Sequence, residues 1–160
     1  MRAGHAATAL VLALTPTRAT AQGQLQKWQP EAHLELLAAR STALHFSVGA
    51  NVIAGDYVRL GLLGGMGARR VHDSTRASGR IDVVGRFHLD PFRQYKRGFY
   101  AGGGGTWLFD DGLAPRVRVL LVLGYEGSEA RSTLITGAEV GVGGGVRIGV
   151  TIRRARDGAR

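Results

Sequence analysis

The sequence predicts an all-β fold, an up-and-down antiparallel β-barrel of about eight strands preceded by a cleaved signal peptide. Three observations lead to it. Apolar and polar side chains alternate over most of the chain, many of the 25 glycines lie in those alternating segments, and the N-terminus has the layout of an export signal. A helix would need apolar residues three or four positions apart and would not tolerate this much glycine. At 160 residues the chain predicts one domain.

The first 21 residues predict a secretory signal peptide. Arg2 gives a positive start, and residues 6–14 form a short apolar core. Ala19 and Ala21 place small side chains at the expected cleavage positions. The apolar core is too short to cross a bilayer as a helix, so we expect residues 1–21 to direct export and to be removed.

The rest of the chain divides into a polar leader at 22–31, a barrel at 32–154 and a basic tail at 155–160. One barrel segment illustrates the alternation, in which the apolar positions are Val117, Val119, Leu121, Leu123 and Tyr125. Turn-forming residues separate the segments, at 40–42, 54–56, 72–76, 90–94, 110–112, 126–129 and 143–145. A first strand over His33–Ala39 completes the predicted set of eight.

The polar face of the alternating segments predicts which side is enclosed. A soluble barrel would enclose its apolar face, whereas a membrane barrel turns that face towards lipid. Glycine is common on the polar face; it weakens a strand in solvent but makes room for long side chains inside a narrow barrel. We therefore expect inward arginines to pair with inward acids: Arg59, Arg80, Arg86, Arg118 and Arg147 with Glu35, Asp82 and Glu139. Bases exceed acids in this set, so some arginines are expected to need water or carbonyl partners.

Aromatic residues gather near the ends of the predicted strands. Phe99 and Phe109 are ten residues apart on one face of the same strand. At about 3.3 Å per residue and a tilt near 40°, this separation spans roughly 25 Å, the height of the apolar band in membrane barrels. Two aromatic girdles are therefore predicted, one at Trp28, Tyr57, Phe92, Tyr95, Phe99, Tyr100 and Tyr125, the other at Phe46, Trp107 and Phe109.

Several kinds of chemistry find little support in the sequence. The formal charge is +9, but the basic residues are spread singly and form no stripe for nucleic acid. Cysteine is absent, which excludes disulfides and thiolate metal sites. The glycine runs complete no phosphate-binding motif, and the five histidines match no metal-ligand spacing. We therefore predict no cofactor, no metal and no catalytic residue.

The signal peptide, the glycine-rich alternating segments and the aromatic strand ends together resemble the small outer-membrane β-barrel proteins of the OmpA transmembrane type. The resemblance covers residues 32–154. It implies a non-enzymatic structural barrel in a bacterial outer membrane, with outer-membrane lipid, including lipopolysaccharide, as its partner. The basic tail offers a contact for acidic head groups.

Two alternatives remain open. A soluble exported barrel, in the periplasm or secreted, would bind a small apolar ligand in its interior. An outer-membrane acyl hydrolase is the other, because His45 and Ser47 are similar to the His-x-Ser pair of the lipid A deacylase barrels. Glu139 is the inward candidate to orient that histidine as in an acyl-transfer triad.

Overall fold

The computed structural model describes five stretches of the chain, residues 28–55, 57–71, 74–89, 97–127 and 133–155. The predicted signal peptide, most of the predicted leader, and the basic tail beyond Ala155 lie outside these residues. Among the residues of these five stretches, none forms an α-helix that could span a bilayer.

Eight antiparallel strands form a closed barrel, which confirms the predicted fold class. The strands are β1 (Gln29–Ala38), β2 (Thr42–Ile53), β3 (Val58–Val71), β4 (Ser74–His88), β5 (Arg97–Asp110), β6 (Arg116–Gly127), β7 (Leu134–Val142) and β8 (Val146–Arg154). Each strand pairs with the next one in the chain, and β8 closes the barrel by pairing with β1, as in Leu34 opposite Val150. Closure leaves no strand of the barrel as a free sheet edge along its whole length.

The alternation separates two faces of opposite character, with the apolar face outside. Leu121, Val83 and Ile148 are 54%, 48% and 58% exposed, although each lies in the middle of a strand. Arg80, by contrast, is only 2% exposed and points into the barrel. The charged face is therefore enclosed and the aliphatic face is outermost, as the glycine-rich polar face predicted.

Several strands extend further than their sequence pattern indicated. β1 begins at Gln29, ahead of the barrel start predicted at Ala32. β4 begins at Ser74 inside a predicted turn, and β6 continues to Gly127, so Glu126 lies in a strand where a turn was expected. The physical reason is that ladder hydrogen bonds continue as long as a neighbouring strand is present, whatever the side chains are. Pairing across the β3–β4 hairpin runs through polar residues to Val71 opposite Ser74.

The barrel has two unlike rims. The chain ends and the β2–β3, β4–β5 and β6–β7 connections lie at the terminal rim; the other four connections lie at the opposite rim, here called the hairpin rim. Tight turns at both rims place glycine at positive φ, +88° at Gly55 and +82° at Gly144, where a Cβ would be strained. At the hairpin rim, β6–β7 pairing begins only at Leu121 opposite Val142, so residues 116–120 of β6 extend past the end of β7.

Outward aromatic side chains lie towards both ends of the barrel. Phe99 and Phe109 are both exposed on β5, so they share its outer face as predicted. Towards the terminal rim, Phe99 packs against Tyr125 with ring centroids 5.3 Å apart, and Tyr57 stacks on Phe87. Phe92 and Tyr95, two further predicted girdle members, lie outside the described residues.

Tyr100 was also predicted in the girdle, and this was wrong. Its side chain is 3% exposed and points into the barrel. Strand alternation explains the difference, because Tyr100 follows outward-facing Phe99 and must therefore face the opposite side.

Candidate functional site: the charged interior

The fully buried part of the interior holds as many carboxylates as guanidinium groups. Among the described residues, five arginines and five carboxylates are buried: Arg59, Arg80, Arg86, Arg147 and Arg153 with Glu31, Glu35, Asp82, Glu126 and Glu139. The buried set differs from the predicted one because Glu31 and Glu126, placed in the leader and in a turn, add two acids, and Arg153 is buried instead of Arg118. Burial makes an unpaired charge costly, so a one-to-one ratio is the arrangement that a closed interior favours.

Nearest the terminal rim, Glu126 receives two arginines. Arg153 donates through Nη2 to Oε1 at 2.7 Å and through Nε to Oε2 at 2.9 Å, a two-point pairing. Arg59 Nη1 lies 3.1 Å from Oε2 of the same carboxylate. The planar fork of a guanidinium fits a carboxylate in this way, and the double contact fixes the orientation of Arg153.

The next layer is organised around Arg86. Its Nη1 lies 3.2 Å from Glu31 and its Nε lies 3.2 Å from Glu139. Tyr100 donates its hydroxyl to Glu139 at 2.9 Å, and its ring lies 5.6 Å from the Arg86 guanidinium carbon. Asn51 accepts from Arg86 and donates to Glu31. Arg86 thus joins β4 to β1, β2 and β7 across the interior, and it is the most widely shared cation of the network.

His33 connects this layer to the centre of the barrel. Its Nε2 lies 2.6 Å from Glu31 and its Nδ1 lies 3.3 Å from Glu35, the residues on either side of it on the inner face of β1. Glu35 in turn pairs with Arg80. The polar contacts are therefore continuous from Arg86 to the centre.

At the centre, two arginines share two carboxylates. Arg147 Nη2 lies 2.7 Å from Asp82 and 3.5 Å from Glu35. Arg80 pairs with Glu35, and its Nε lies 3.4 Å from Asp82. Ser47 accepts a hydrogen bond from Arg80 at 2.9 Å. The pairs that the sequence analysis expected among these residues are present, although Arg118 lies apart from them at the hairpin rim, where its side chain is exposed.

Inward glycines provide the space that these long side chains occupy. A Cβ on Gly61 would stand 2.6 Å from the Asn51 side chain, and one on Gly149 would collide with Glu35. A Cβ on Gly124 would overlap the ring of Tyr100. The glycines predicted on the polar face are therefore required by side-chain volume inside the barrel.

Part of the interior is apolar. Leu63, Val84, Leu120 and Val122 form a buried cluster with Tyr100. These residues come from β3 to β6, strands that also supply half of the ten buried charges. The cluster packs against one side of the network and fills space that would otherwise admit water.

His45, Ser47 and Glu139, the residues of the acyl-hydrolase alternative, take part in separate interactions. His45 Nε2 lies 2.9 Å from Ser78, Ser47 accepts from Arg80, and Glu139 pairs with Arg86. His45 and Ser47 are 0% and 1% exposed on the inner face. The structure thus places each of the three in the ion-pair network or beside it, and the pair faces away from the outer surface.

One group of side chains has the composition of a metal site. Ligand atoms of His33, Glu35 and Glu139 lie within 4.8 Å of one another. Both carboxylates are already held by arginines: Glu35 by Arg80, and Glu139 by Arg86. A cation placed among them would be repelled by those guanidinium groups, so we assign the three residues to the ion-pair network.

Comparison with known proteins identifies the architecture. The chain matches the crystal structure of the N-terminal β-barrel domain of Pseudomonas aeruginosa OprF with a TM-score of 0.54 over 79% of this chain and 96% of that one. The two chains share this fold. Their sequence identity is 15%, so the likeness concerns the eight-stranded barrel itself. No protein-family model matches the sequence, and neither does any curated protein.

Sequence reasoning missed four members of the interior site, Glu31, Tyr100, Glu126 and Arg153. The signal that would have found them is parity. Glu31 lies two residues before His33, and Glu126 lies two residues after Gly124, so each continues an inward series. Extending the alternation past the last apolar residue of each segment would have included both carboxylates.

Proposed function

We propose that this protein is a non-enzymatic structural barrel of a bacterial outer membrane, exported by its N-terminal signal and held by surrounding lipid. Its interior is filled by the ion-pair network and the apolar cluster, so that it has no open pore. Its partner is outer-membrane lipid, which in one leaflet is lipopolysaccharide.

The observation that carries the proposal is the inversion of the two faces. Large apolar side chains are about half exposed on the outer face of all eight strands, for example Leu34 on β1, Leu62 on β3 and Val150 on β8. A soluble domain would bury such residues, because contact with water disfavours apolar surface at about 25 cal/mol per Å². Hydrocarbon removes this penalty, and closure satisfies the strand hydrogen bonds that lipid cannot.

The filled interior supports a structural role over transport. An eight-stranded barrel has an interior only wide enough for its own side chains. Here five ion-paired arginines and the apolar cluster around Leu63 and Val84 occupy this interior. Solute passage would require charges to separate in a low-dielectric space, at a cost of several kcal/mol.

The soluble and enzymatic alternatives have weaker support. An apolar ligand would meet a buried network of charges in the interior, which disfavours binding. A lipid hydrolase would need its nucleophile at the lipid-facing surface, whereas Ser47 faces inward and accepts from Arg80. The geometry therefore favours a protein without an active site at these residues.

Cell fractionation tests the proposal. The protein should be recovered in outer-membrane fractions, should require detergent for extraction, and should migrate on gels with a mobility that changes on heating. Recovery as a detergent-free periplasmic or secreted protein would contradict the membrane role. Solute-efflux measurements on loaded vesicles test the filled interior, and efflux as fast as that of an open porin would contradict it.

A further inference from the structure

At the hairpin rim, the interior ends in a cluster whose charge is not balanced. Arg69, Arg76, Arg116 and Arg118 all lie on the inward series of their strands near this rim, and Arg69 and Arg116 pair with Asp110; we call these five residues the basic mouth. The mouth thus holds four guanidinium groups and one carboxylate. Asp111, the first residue of the β5–β6 turn, is exposed.

Asp110 is fully engaged by two of these arginines. Arg116 Nη2 lies 2.5 Å from its Oδ2, Arg69 donates to the same oxygen, and Ser78 donates to Oδ1 at 2.7 Å. Below Ser78 lies the buried ring of His45. The floor of the mouth is therefore closed by Ser78 and His45, and Asp110 has little capacity left for another cation.

The other two arginines have no acidic partner among the described residues. An Arg76 nitrogen lies 3.0 Å from where a Cβ of Gly112 would stand, which places this guanidinium against the β5–β6 turn. The stem of Arg118 lies 3.8 Å from the corresponding position on Gly144, in the β7–β8 turn. The side chains of Arg76 and Arg118 are both exposed. Donors from these two arginines are therefore accessible to an anion.

We propose that the basic mouth binds the phosphoryl group of a lipid head group. Planar guanidinium donors fit a phosphoryl oxygen pair as they fit a carboxylate, and several of them together supply the charge that a phosphate monoester requires. The inference rests on the proposed membrane function for the source of the ligand, since lipid surrounds this rim only if the barrel is inserted.

Two features place the mouth at the level of lipid head groups and open it to one side. Trp107 and Phe109 are exposed on the outer face of β5 just below the rim, where aromatic side chains mark the interface in membrane barrels. On β6, residues 116–120 extend past the end of β7, so the β7–β8 side of the barrel is lower. A head group can approach Arg118 over this lower side.

The test uses the full chain folded in dodecyl maltoside micelles, which contain no phosphate, with phosphatidic acid as the probe. Replacing both free guanidinium groups, Arg76→Gln with Arg118→Gln, should weaken binding about tenfold, because charge-assisted hydrogen bonds are lost. Arg40→Gln with Arg70→Gln is the matched control, since it removes two charges from exposed positions outside the mouth on the same rim. This control should weaken binding less than about twofold.

The outcomes separate the mouth from general charge attraction. Equal weakening by the two double variants would overturn the proposal, as would the absence of phosphatidic acid binding by the unmodified protein. If inorganic phosphate displaced phosphatidic acid at equal concentration, the result would overturn the claim that the bound phosphoryl group belongs to a lipid. Heat-dependent gel migration checks folding; if the Arg76 and Arg118 pair fails that check, Arg118→Gln alone should weaken binding about threefold.

The micelle measurement does not depend on where the cell keeps the protein. A soluble protein in cell fractions would therefore contradict the proposed function while leaving the mouth measurement valid. Equal binding by the two double variants would contradict only the proposal that the basic mouth binds a phosphoryl group.

Discussion

The buried interior of the barrel and its basic mouth differ in how many of their arginines are paired with a carboxylate. In the buried interior each arginine has a carboxylate partner, and Arg80, Arg86 and Arg147 have two each. In the mouth four arginines accompany one carboxylate, Asp110, and the Arg118 side chain is exposed. Access to water or ligand therefore sets how large a charge imbalance a region of the barrel can hold. The excess positive charge of this sequence can be placed at a rim but not in the closed interior.

Removing Arg86, which is shared by two buried carboxylates, should have the largest effect. Arg86→Met leaves Glu31 and Glu139 without their shared cation. We expect the free energy of unfolding to fall by about 3–5 kcal/mol. Urea unfolding of the barrel refolded in lipid vesicles measures this change. Arg118→Met in the mouth is the matched control and should cost less than about 1 kcal/mol. Equal costs at the two positions would contradict the distinction between centre and mouth.

The same contrast between centre and rim should hold on the outer face. Leu121→Arg places a charge in the apolar band and should destabilise the barrel in vesicles by about 2–4 kcal/mol. Val117→Arg lies on the same face of β6, about 10 Å nearer the hairpin rim, and should cost about 0–1 kcal/mol. If both variants unfolded in water and were equally stable in vesicles, the outer face would not be the lipid-facing one.

Interior glycines should resist substitution more strongly than exterior ones. Gly124→Ala forces the Tyr100 ring to move and should cost about 1–3 kcal/mol, as overpacking does elsewhere. Gly103→Ala is the control on the outer face, where the nearest atom to the new Cβ is 3.5 Å away. It should change stability by no more than about 0.5 kcal/mol. Combining Gly124→Ala with Tyr100→Leu should recover part of the loss, and no recovery would place the strain elsewhere.

The smallest effect is expected at Ser47. Ser47→Ala removes one acceptor for Arg80, so the loss should be about 1 kcal/mol in urea unfolding. Release of acyl chains from lipid A should be the same for the variant and the unmodified protein. A variant that lost a measurable deacylase activity would revive the enzymatic alternative.

Much of the interior could be predicted from parity alone, because a strand sends alternate side chains to opposite faces. Arg80, Arg147 and Asp82 were assigned inward on this basis and do form ion pairs. Glu31 was missed because polar side chains at the start of β1 gave no contrast with the leader. Tyr100 was wrongly placed in the outer girdle because it lies near a strand end. Its position directly after outward-facing Phe99 predicts that it faces inward.

A period of two and the turn residues were enough to predict the strand class, the approximate number of strands and the two faces of each strand. Tertiary structure alone decided which residues meet. Glu126 and Arg153 are 27 positions apart, and Arg86 and Glu31 are 55 apart. Such partners depend on the register in which strands pair and on closure between β1 and β8, and a local pattern cannot specify either one. Closure also decided where the unpaired arginines lie, because only the order and unequal lengths of the strands bring Arg76 and Arg118 to one rim.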